Sequence, residues 1–270
     1  APGRTRREYC YNILVSGLDD DNGGSDTNIL VRFDVPNKRI DLVSLPRDTL
    51  LHNEYRNNKL NFAYAKGGTE LLMEQIENLL GIPVDFYVTV NLKGFIALVD
   101  QIDGVDFDIP INMDYDDPYQ DLHIHFTKGP RHLNGQEAME VVRFRHNNDG
   151  TGYGTEDIGR IGTQQAFLKA VAKQLLQIGN VKNIPALVDI FYTYVKTDLT
   201  TGNLVWLGNE ALNIGTENIH FATLPGDGSG YYNKQSVYVL DAQATCDLVN
   251  EALNPYNEAL TLEDMDILVP

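Results

Sequence analysis

Apolar and β-branched residues cluster in three segments near the start of the chain. Residues 12–16 form a short apolar run, 28–35 are apolar and β-branched, and 39–45 alternate between apolar and polar positions. Period-two alternation and β-branched enrichment are typical of strands. Pro46 ends the third segment because proline has no N–H to donate to a neighbouring strand. The pattern therefore predicts a sheet that opens with three strands.

Further along the chain, apolar positions recur every three or four residues, which is the spacing of one helix face. One such stripe covers 69–80, and a longer one extends from Asp157 to Ile178. Asn134 followed three residues later by Glu137 is typical of a capped helix start, here leading toward residue 143. The pattern predicts further helices at 92–99, 184–195, 202–213 and 236–253, and further strands at 85–90, 105–109 and 219–224.

Strands and helices alternate without the regular rhythm of a doubly wound parallel sheet. This order favours an α/β (α+β) sandwich, in which a mixed central sheet carries helices on both faces. No internal repeat or low-complexity linker divides the chain, so we expect residues 11–270 to form a single domain. Residues 1–10 are interpreted as a linker, a juxtamembrane flank or a tag remnant. The polar segment from Asp114 to Asp121 is expected to be an exposed loop.

Composition narrows the classes of partner. The 270 residues are 43% hydrophobic and carry a formal net charge of −17, so most of the surface repels nucleic acid and anionic membranes. No apolar run is long enough to span a membrane. All arginines lie at or before Arg160, and the positive charge after it comes from five lysines. An anion site is therefore expected to be local and to come from the first three-fifths of the chain.

The sequence lacks the motifs of several common classes of enzyme. There is no GxxxxGK[ST] phosphate loop, no GxSxG nucleophile turn and no HExxH zinc helix. His123 and His125 would share a face if their segment is a strand, but surface histidines are the preferred interpretation over a zinc pair. Cys10 and Cys246 are far apart in sequence, and both a disulfide and two free thiols remain open.

Two aspartates flank a glycine-rich turn between the first two predicted strands. The carboxylates of Asp19 and Asp26 can face each other across the strand ends, where they repel unless a cation lies between them. Mg²⁺ (or Mn²⁺) bound by one or two carboxylates and by phosphate oxygens is the usual arrangement. Asp19 and Asp26 are therefore the candidate metal ligands.

Arginines stand at the ends of several predicted elements. Arg47 follows the third strand, and Arg143 and Arg145 end a helix. Arg160 begins the next helix, with Gln164 one turn later on the same face. Guanidinium groups bind phosphate bidentately, and a cation site with several arginines indicates phosphoryl chemistry. The alternative interpretation is that these arginines are exposed or paired with nearby carboxylates, namely Asp48, Asp149 and Asp157.

Four ordered blocks give a family resemblance. The chain contains, in order, SLPRDT…KLNFAYAKGG, GIPVDFYVTVNLKGFIALVDQIDGV, LNGQEAMEVVRFR and DIGR…QQ. Each block is only moderately specific, but their order and spacing over about residues 12–173 resemble the LytR-CpsA-Psr family of bacterial cell-wall proteins. A weaker continuation follows at 197–199.

The resemblance implies a phosphotransferase of metal-dependent, glycopolymer-ligase type. It would pass the phosphoryl-glycan of a polyprenyl-pyrophosphate-linked glycopolymer, teichoic acid or capsule, to a peptidoglycan acceptor, with hydrolysis of the carrier pyrophosphate as a side reaction. The protein would act at the extracytoplasmic face of a bacterial, Gram-positive membrane and in the cell wall, anchored by an N-terminal helix absent from this sequence. The lipid would lie in an apolar tunnel, which the helices at 69–80 and 161–178 are apolar enough to line.

Matching positions to the family assigns roles to individual residues. Asp19 and Asp26 would share Mg²⁺ with the pyrophosphate. Asp157 would orient an arginine. Four arginines would hold the pyrophosphate and act in catalysis: Arg47, Arg143, Arg145 and Arg160. Two further residues would contact the substrate: Lys59 and Gln164.

Three positions depart from the family pattern. Asp21, Gly24 and Thr163 stand where family members usually carry arginine. Arg32 is a candidate substrate contact, and either it or a shifted lysine would replace part of this lost charge. The missing cations keep a second hypothesis open, in which the protein is a polyprenyl-phosphate-binding module that assists polymer assembly with weak or no catalysis of its own.

Overall fold

The computed structural model describes residues 3–18, 23–154, 156–177 and 184–270, without the side chains at 156–158, 175–177, 184–187 and 190. The chain divides into two compact units, one of residues 1–91 with 195–270 and the other of 92–194. Each unit has its own hydrophobic core. The expectation of a single domain over 11–270 stays a prediction.

The described residues form twelve strands, seven α-helices and two short 3-10 helices at Thr216–Asn218 and Leu262–Asp264. The strands are β1 (Cys10–Leu18), β2 (Ser25–Asp34), β3 (Arg39–Leu45), β4 (Phe86–Val90), β5 (Val105–Ile109), β6 (Met113–Asp117), β7 (Leu122–Phe126), β8 (Gly129–Leu133), β9 (Val195–Thr197), β10 (Ile219–Thr223), β11 (Gly226–Tyr232) and β12 (Gln235–Leu240). The helices are α1 (Leu60–Leu80), α2 (Leu92–Gln101), α3 (Gly135–Arg143), α4 (Glu156–Gln177), α5 (Ile184–Tyr194), α6 (Thr201–Ile214) and α7 (Ala242–Ala252).

A six-stranded mixed sheet organises the first unit, in the order β10-β3-β2-β1-β4-β9. Strands β1, β2 and β3 are antiparallel neighbours, whereas β4 joins β1 and β10 joins β3 in parallel. Helix α1 contacts β2, and helices α6 and α7 contact β3. The mixed sheet with packed helices confirms the predicted α/β sandwich. The strands expected at 12–16, 28–35 and 39–45 are also confirmed.

Helix α1 consists of two helical segments joined at a glycine pair. Gly67 (φ −143°, ψ 17°) and Gly68 (φ 67°, ψ −158°) leave helical geometry, and the positive φ of Gly68 favours glycine. The second segment is the helix predicted at 69–80. It ends at Gly81, whose left-handed backbone lets its N–H donate to the Glu77 carbonyl. The first segment, 60–66, was not predicted.

The second unit contains two strand pairs, β5–β8 and β6–β7, and the helices α2 to α5. Asn134 caps α3 as predicted, because its side chain accepts from the Glu137 N–H while the Glu137 side chain accepts from the Asn134 N–H. The exposure expected over 114–121 is confirmed for most of these residues, but the loop was wrong for 114–117, which belong to β6. Most of that segment belongs to the β6–β7 hairpin, where Met113, Ile124 and neighbouring apolar residues are buried and the acidic residues alternate with them. The many carboxylates hid this period-two pattern.

The helix predicted at 236–253 was wrong in its first part. Residues 235–240 form strand β12, which pairs with β11 through a turn at Asn233 and Lys234, both with positive φ. β-branched and aromatic residues in this segment favour a strand over a helix. Helix α7 begins only after Asp241, whose carboxylate accepts from the Ala244 N–H.

The helices predicted at 92–99, 134–143, 157–178, 184–195 and 202–213 and the strands at 85–90, 105–109 and 219–224 are confirmed within a few residues at their ends. Cys10 and Cys246 are both buried free thiols. In the part of the chain that the structure describes, no helix has the length and apolar character to cross a membrane.

Candidate active site

An ion pair joins the start of β2 to the segment after β3. Arg47 Nη1 donates to Asp26 Oδ1 over 2.6 Å. The register explains this proximity, because Asn28 on β2 lies opposite Leu45 on β3, so the residues just beyond that pair meet at the same sheet end. Both side chains are about one-quarter exposed, at 25% for Arg47 and 22% for Asp26. The pair can therefore be reached by a ligand from solvent.

A second carboxylate and a lysine lie beside this ion pair. Asp48 Oδ1 is 3.7 Å from Arg47 Nε and 3.2 Å from Lys59 Nζ. The first distance is too long for a hydrogen bond, and this oxygen makes no hydrogen bond in the structure. Arg47 therefore lies near Asp48, as the alternative interpretation of the sequence expected, and it also contacts Asp26.

Backbone hydrogen bonds hold the loop after β3 against the start of α1. The Asn61 N–H donates to the Arg47 carbonyl over 2.9 Å, and the Leu60 N–H donates to the Thr49 carbonyl over 3.0 Å. Thr49 in turn donates from its hydroxyl to the Pro46 carbonyl. Lys59 is the N-cap residue of α1, and its ammonium lies 3.2 Å from Asp48 Oδ1. These contacts explain why the SLPRDT and KLNF segments meet.

The charges in this group cancel formally. Two cations, Arg47 and Lys59, face two anions, Asp26 and Asp48. A pyrophosphate would bring further negative charge, so this group alone offers it no surplus of positive charge. Further cations are required for tight binding of such an anion.

The candidate metal pair is only partly described. Asp19 and the departure position Asp21 lie outside the described residues, so the expected Asp19–Asp26 bridge stays a prediction. Asp26 fits a hard divalent cation in donor type and accessibility, because it is a partly exposed carboxylate. In the structure its Oδ1 accepts from Arg47, which a bound cation would have to displace.

A buried phenylalanine lies between the two arginines at the end of α3. Phe144 is 1% exposed and its ring lies edge-on to Tyr153 at 5.6 Å between centroids. It separates Arg143 from Arg145, both of which are partly exposed. Arg143 Nη2 donates to Gln120 Oε1 over 2.7 Å. Gln120 was not expected from sequence, since it lies in the turn of a hairpin that the pattern had assigned to a loop.

Helix α4 carries two of the candidate residues next to this segment. Gln164 Nε2 donates to the carbonyl of Val142 over 3.2 Å, which ties α4 to the last turn of α3. Arg160, one turn earlier on the same helix, is 4% exposed. The side chain of Asp157 lies outside the described residues, so its orienting role stays a prediction. Asp149, an alternative partner for the arginines, accepts from the N–H and hydroxyl of Thr151.

Thr163, where the resemblance led us to expect an arginine, is part of the packed interior of the second unit. It is 4% exposed, and its hydroxyl lies 2.6 Å from the Tyr153 hydroxyl and 3.2 Å from the Gly159 carbonyl that accepts from it. Burial raises the pKa of Tyr153, and the hydrogen bond with Thr163 opposes that shift. Gly24, another departure position, has room instead, because a Cβ there would make only an ordinary contact of 3.5 Å with the Asn61 carbonyl.

The structure does not bring Arg32 to this group. Arg32 is 3% exposed, and its Nη2 donates to Asp41 Oδ2 over 2.7 Å. It lies six residues along β2 from Asp26, at roughly 20 Å for an extended strand. The expected substrate contact is corrected on this point, because a buried ion pair with Asp41 leaves the guanidinium no route to a ligand near Asp26.

The sequence-predicted residues therefore fall into two groups. Asp26, Arg47 and Lys59 come together in the first unit. Arg143, Arg145, Arg160 and Gln164 belong to the second unit. That all four arginines share one anion stays a prediction.

Comparison with known proteins found a matching family model, relatives of similar sequence and solved structures of similar fold. The model of the LytR_cpsA_psr family matches residues 5–254. The chain is 32% identical over 248 residues to the polyisoprenyl-teichoic acid–peptidoglycan teichoic acid transferase TagV of Bacillus subtilis (strain 168), covering 87% of this chain and 61% of TagV, so it spans about three-fifths of that relative's length. It is 32% identical over 245 residues to the teichoic acid transferase TagU of Bacillus cereus, covering 89% of this chain and 77% of TagU. The crystal structure of B. subtilis TagV matches with a TM-score of 0.77 and 27% identity, covering 97% of this chain and 100% of that one.

Proposed function

This chain belongs to the LytR-CpsA-Psr family, and on that premise we propose that it transfers a glycopolymer from a polyprenyl-pyrophosphate carrier to peptidoglycan. The names of the relatives TagV and TagU, which are teichoic acid transferases acting on peptidoglycan, support this assignment. The observation that carries it is the ion pair of Asp26 and Arg47 with Lys59 beside it, formed by the residues that the family resemblance selects.

In the proposed reaction a peptidoglycan hydroxyl oxygen attacks the phosphorus that bears the glycan. The bond from that phosphorus to the bridging oxygen breaks, polyprenyl phosphate leaves with the bond's electron pair, and the hydroxyl proton passes to solvent. Negative charge spreads over the phosphoryl oxygens in such a step, so catalysis is mostly positioning and charge neutralisation. Arg47 and Lys59 are the cations that would hold the phosphoryl oxygens in the first unit.

A divalent ion held by Asp26 together with Asp19 would supply additional neutralisation of the pyrophosphate. Mg²⁺ or Mn²⁺ suits these oxygen donors. The formal neutrality of the group of Asp26, Arg47, Asp48 and Lys59 supports a need for such charge. Arg47 would then exchange its contact with Asp26 for one with a phosphoryl oxygen, without any change in the sheet.

The roles of the second-unit residues rest on the resemblance. Arg143, Arg145 and Arg160 would hold pyrophosphate oxygens, Gln164 would contact the substrate, and Asp157 would orient an arginine. The proposed location is the extracytoplasmic face of the cell membrane and the cell wall, with an N-terminal anchor. An apolar tunnel for the lipid belongs to the same proposal.

One observation favours the second hypothesis, a carrier-binding module with little catalysis. Thr163 is packed against Tyr153 where the family usually has an arginine, and Gly24 supplies no charge at another such position. A site with fewer cations stabilises the transition state of pyrophosphate cleavage less than the site of a family member that carries all three arginines. Retention of Asp26, Arg47 and Arg160 leads us to prefer the enzyme.

Transfer can be tested with the chain, a polyprenyl-pyrophosphate-linked teichoic-acid-type polymer carrying a label, and purified peptidoglycan. The proposal predicts that the label appears covalently in the peptidoglycan with release of polyprenyl phosphate. Bound carrier lipid without any transferred label would instead support the module.

A further inference from the structure

The exposed face of the β6–β7 hairpin presents histidines opposite aspartates. In the antiparallel register His123 lies opposite Asp116, and His125 lies opposite Asp114. All four side chains are exposed, whereas Met113, Leu122, Ile124 and Phe126 on the other face are buried. The segment is a strand, so His123 and His125 share one exposed face, and the aspartates opposite them were not expected from the sequence.

Three of these residues converge closely enough to ligate one ion. His123 Nδ1 lies 2.5 Å from Asp116 Oδ1, and His125 Nε2 lies 3.3 Å from the same oxygen. One ligand atom from each of Asp116, His123 and His125 can be chosen such that all three lie within 4.8 Å of one another. Tetrahedral zinc ligands at ordinary bond lengths are separated by about 3.3 Å, so small side-chain rotations would suffice.

The donor set selects the class of ion. Two imidazole nitrogens and one carboxylate oxygen suit zinc and similar transition metals, whereas Mg²⁺ and Ca²⁺ prefer oxygen ligands alone. We propose that Asp116, His123 and His125 form a binding site for a transition-metal dication of the zinc class, with water completing its coordination.

The surrounding charge favours a dication. Carboxylates face the two histidines from three places: Asp114 and Asp116 on β6, Asp121 in the hairpin turn, and Glu140 on α3. Without metal, the imidazoles pair with these carboxylates, and the pKa of each histidine is raised, chiefly by its hydrogen bond to Asp116 or Asp114. A metal must displace those protons, so binding releases protons and strengthens as pH rises through the histidine range.

This site uses different ligands from the metal proposed for transfer. Its ligands are on one hairpin of the second unit, and two of them are nitrogens, whereas Asp19 and Asp26 offer only oxygens in the first unit. The hairpin also carries Gln120, which accepts from Arg143. Occupation would therefore brace the strand pair that supports this contact.

The test is zinc binding to the chain after removal of metal with a chelator, followed by calorimetric titration near neutral pH. We expect His123→Ala and His125→Ala each to weaken one zinc site by at least about tenfold. His132→Ala is the matched control, because His132 also faces an aspartate across a strand pair, at 2.7 Å from Asp106, with the same 55% exposure as His123, but outside the three-residue group. It should leave zinc affinity unchanged.

Two readouts separate this site from an ordinary pair of surface salt bridges. Titration in buffers of different ionisation enthalpy should show protons released on zinc binding, and a large excess of Mg²⁺ should not displace the zinc. Equal zinc affinity in the wild type, His123→Ala and His125→Ala would overturn the proposal, as would an equal loss in His132→Ala. Neither result depends on glycopolymer transfer, so failure here leaves the proposed function untouched.

Discussion

Arg47 and Asp26 are 21 residues apart in the chain, yet the Arg47 guanidinium donates to the Asp26 carboxylate over 2.6 Å. The β2–β3 register creates this contact by bringing the start of one strand beside the end of the next. The two charges of this pair neutralise each other. A phosphorylated ligand would change that balance, because Asp26 is the proposed metal ligand and Arg47 the proposed phosphate ligand.

Removal of Arg47 should impair transfer far more than folding. Arg47→Ala is expected to lower kcat/KM for transfer by roughly 10²–10³-fold, the usual effect of losing one preorganised charge-stabilising group. Its partly exposed ion pair should contribute no more than about 1 kcal/mol to the free energy of unfolding. Initial rates and thermal unfolding curves measure the two effects.

Arg39→Ala is the matched control for Arg47→Ala. Arg39 starts the same strand that Arg47 follows, is 31% exposed, and contacts Asp41 and Glu251. This substitution should leave the transfer rate unchanged while costing comparable or greater stability. Equal loss of rate in both variants would show that Arg47 acts through the sheet and not on the substrate.

Arginine introduced at Gly24 should raise activity. The site has room for a Cβ, which would lie 3.5 Å from the Asn61 carbonyl, next to the start of α1. Added positive charge would strengthen pyrophosphate binding, so Gly24→Arg is expected to increase the rate and to lower the Mg²⁺ concentration required. Asp21→Arg, outside the described residues, is expected to act in the same direction.

Gly24→Gln provides the comparison for Gly24→Arg, because it adds a long polar side chain without charge. The measurement is the transfer rate against Mg²⁺ concentration for the three proteins. A glutamine variant that matches the arginine variant would assign the gain to side-chain bulk and would remove charge as its cause.

The third departure cannot be reversed in the same way. Thr163 is 4% exposed and its hydroxyl contacts Tyr153, so Thr163→Arg would force a long charged side chain into a packed interior. We expect this variant to lose several kcal/mol, about 3 or more, of unfolding free energy. Thr163→Ser, which keeps the hydroxyl, should lose about 1 kcal/mol or less. Urea unfolding of both variants checks this order, and a stable, more active Thr163→Arg would contradict it.

The acid sensitivity of the first unit should depend on Asp264. Hydrogen bonding to Arg4 lowers the pKa of Asp264 to about 2, with help from the Thr261 N–H. A carboxyl whose folded pKa is depressed contributes stability that is fully present above its unfolded pKa, about 3.9, and is lost as pH falls through the folded value. Asp264→Asn should therefore be less stable than the wild type at neutral pH, and the difference should shrink between about pH 4 and about pH 2. Unfolding free energies at several pH values test this, and a gap that persists at the lowest pH would exclude the ionised carboxylate as its cause.

Local patterns were sufficient for much of the fold and for part of the site. The cap at Asn134, the three opening strands and the ordered sequence blocks each depend on neighbouring residues, which a sequence displays directly. The burial of Arg32 could not be predicted from the sequence, because it results from an ion pair with Asp41 on the neighbouring strand β3. Strand β6 was hidden for a related reason, since its carboxylates face solvent and its backbone partners, strand β7 with Asn147 and Asn148, are distant in sequence or not visible as a pattern. The contact of Gln120 with Arg143 likewise depends on that hairpin.

The most direct measurement is polyprenyl phosphate release from a polyprenyl-pyrophosphate-linked glycopolymer, followed against Mg²⁺ or Mn²⁺ concentration for the wild type and Asp26→Ala. If Asp26 holds a catalytic cation beside Arg47, release by the wild type should rise steeply with metal, and Asp26→Ala should abolish it at every metal concentration. No release by the wild type at any metal concentration, with carrier lipid still bound, would contradict the transferase and leave the carrier-binding module.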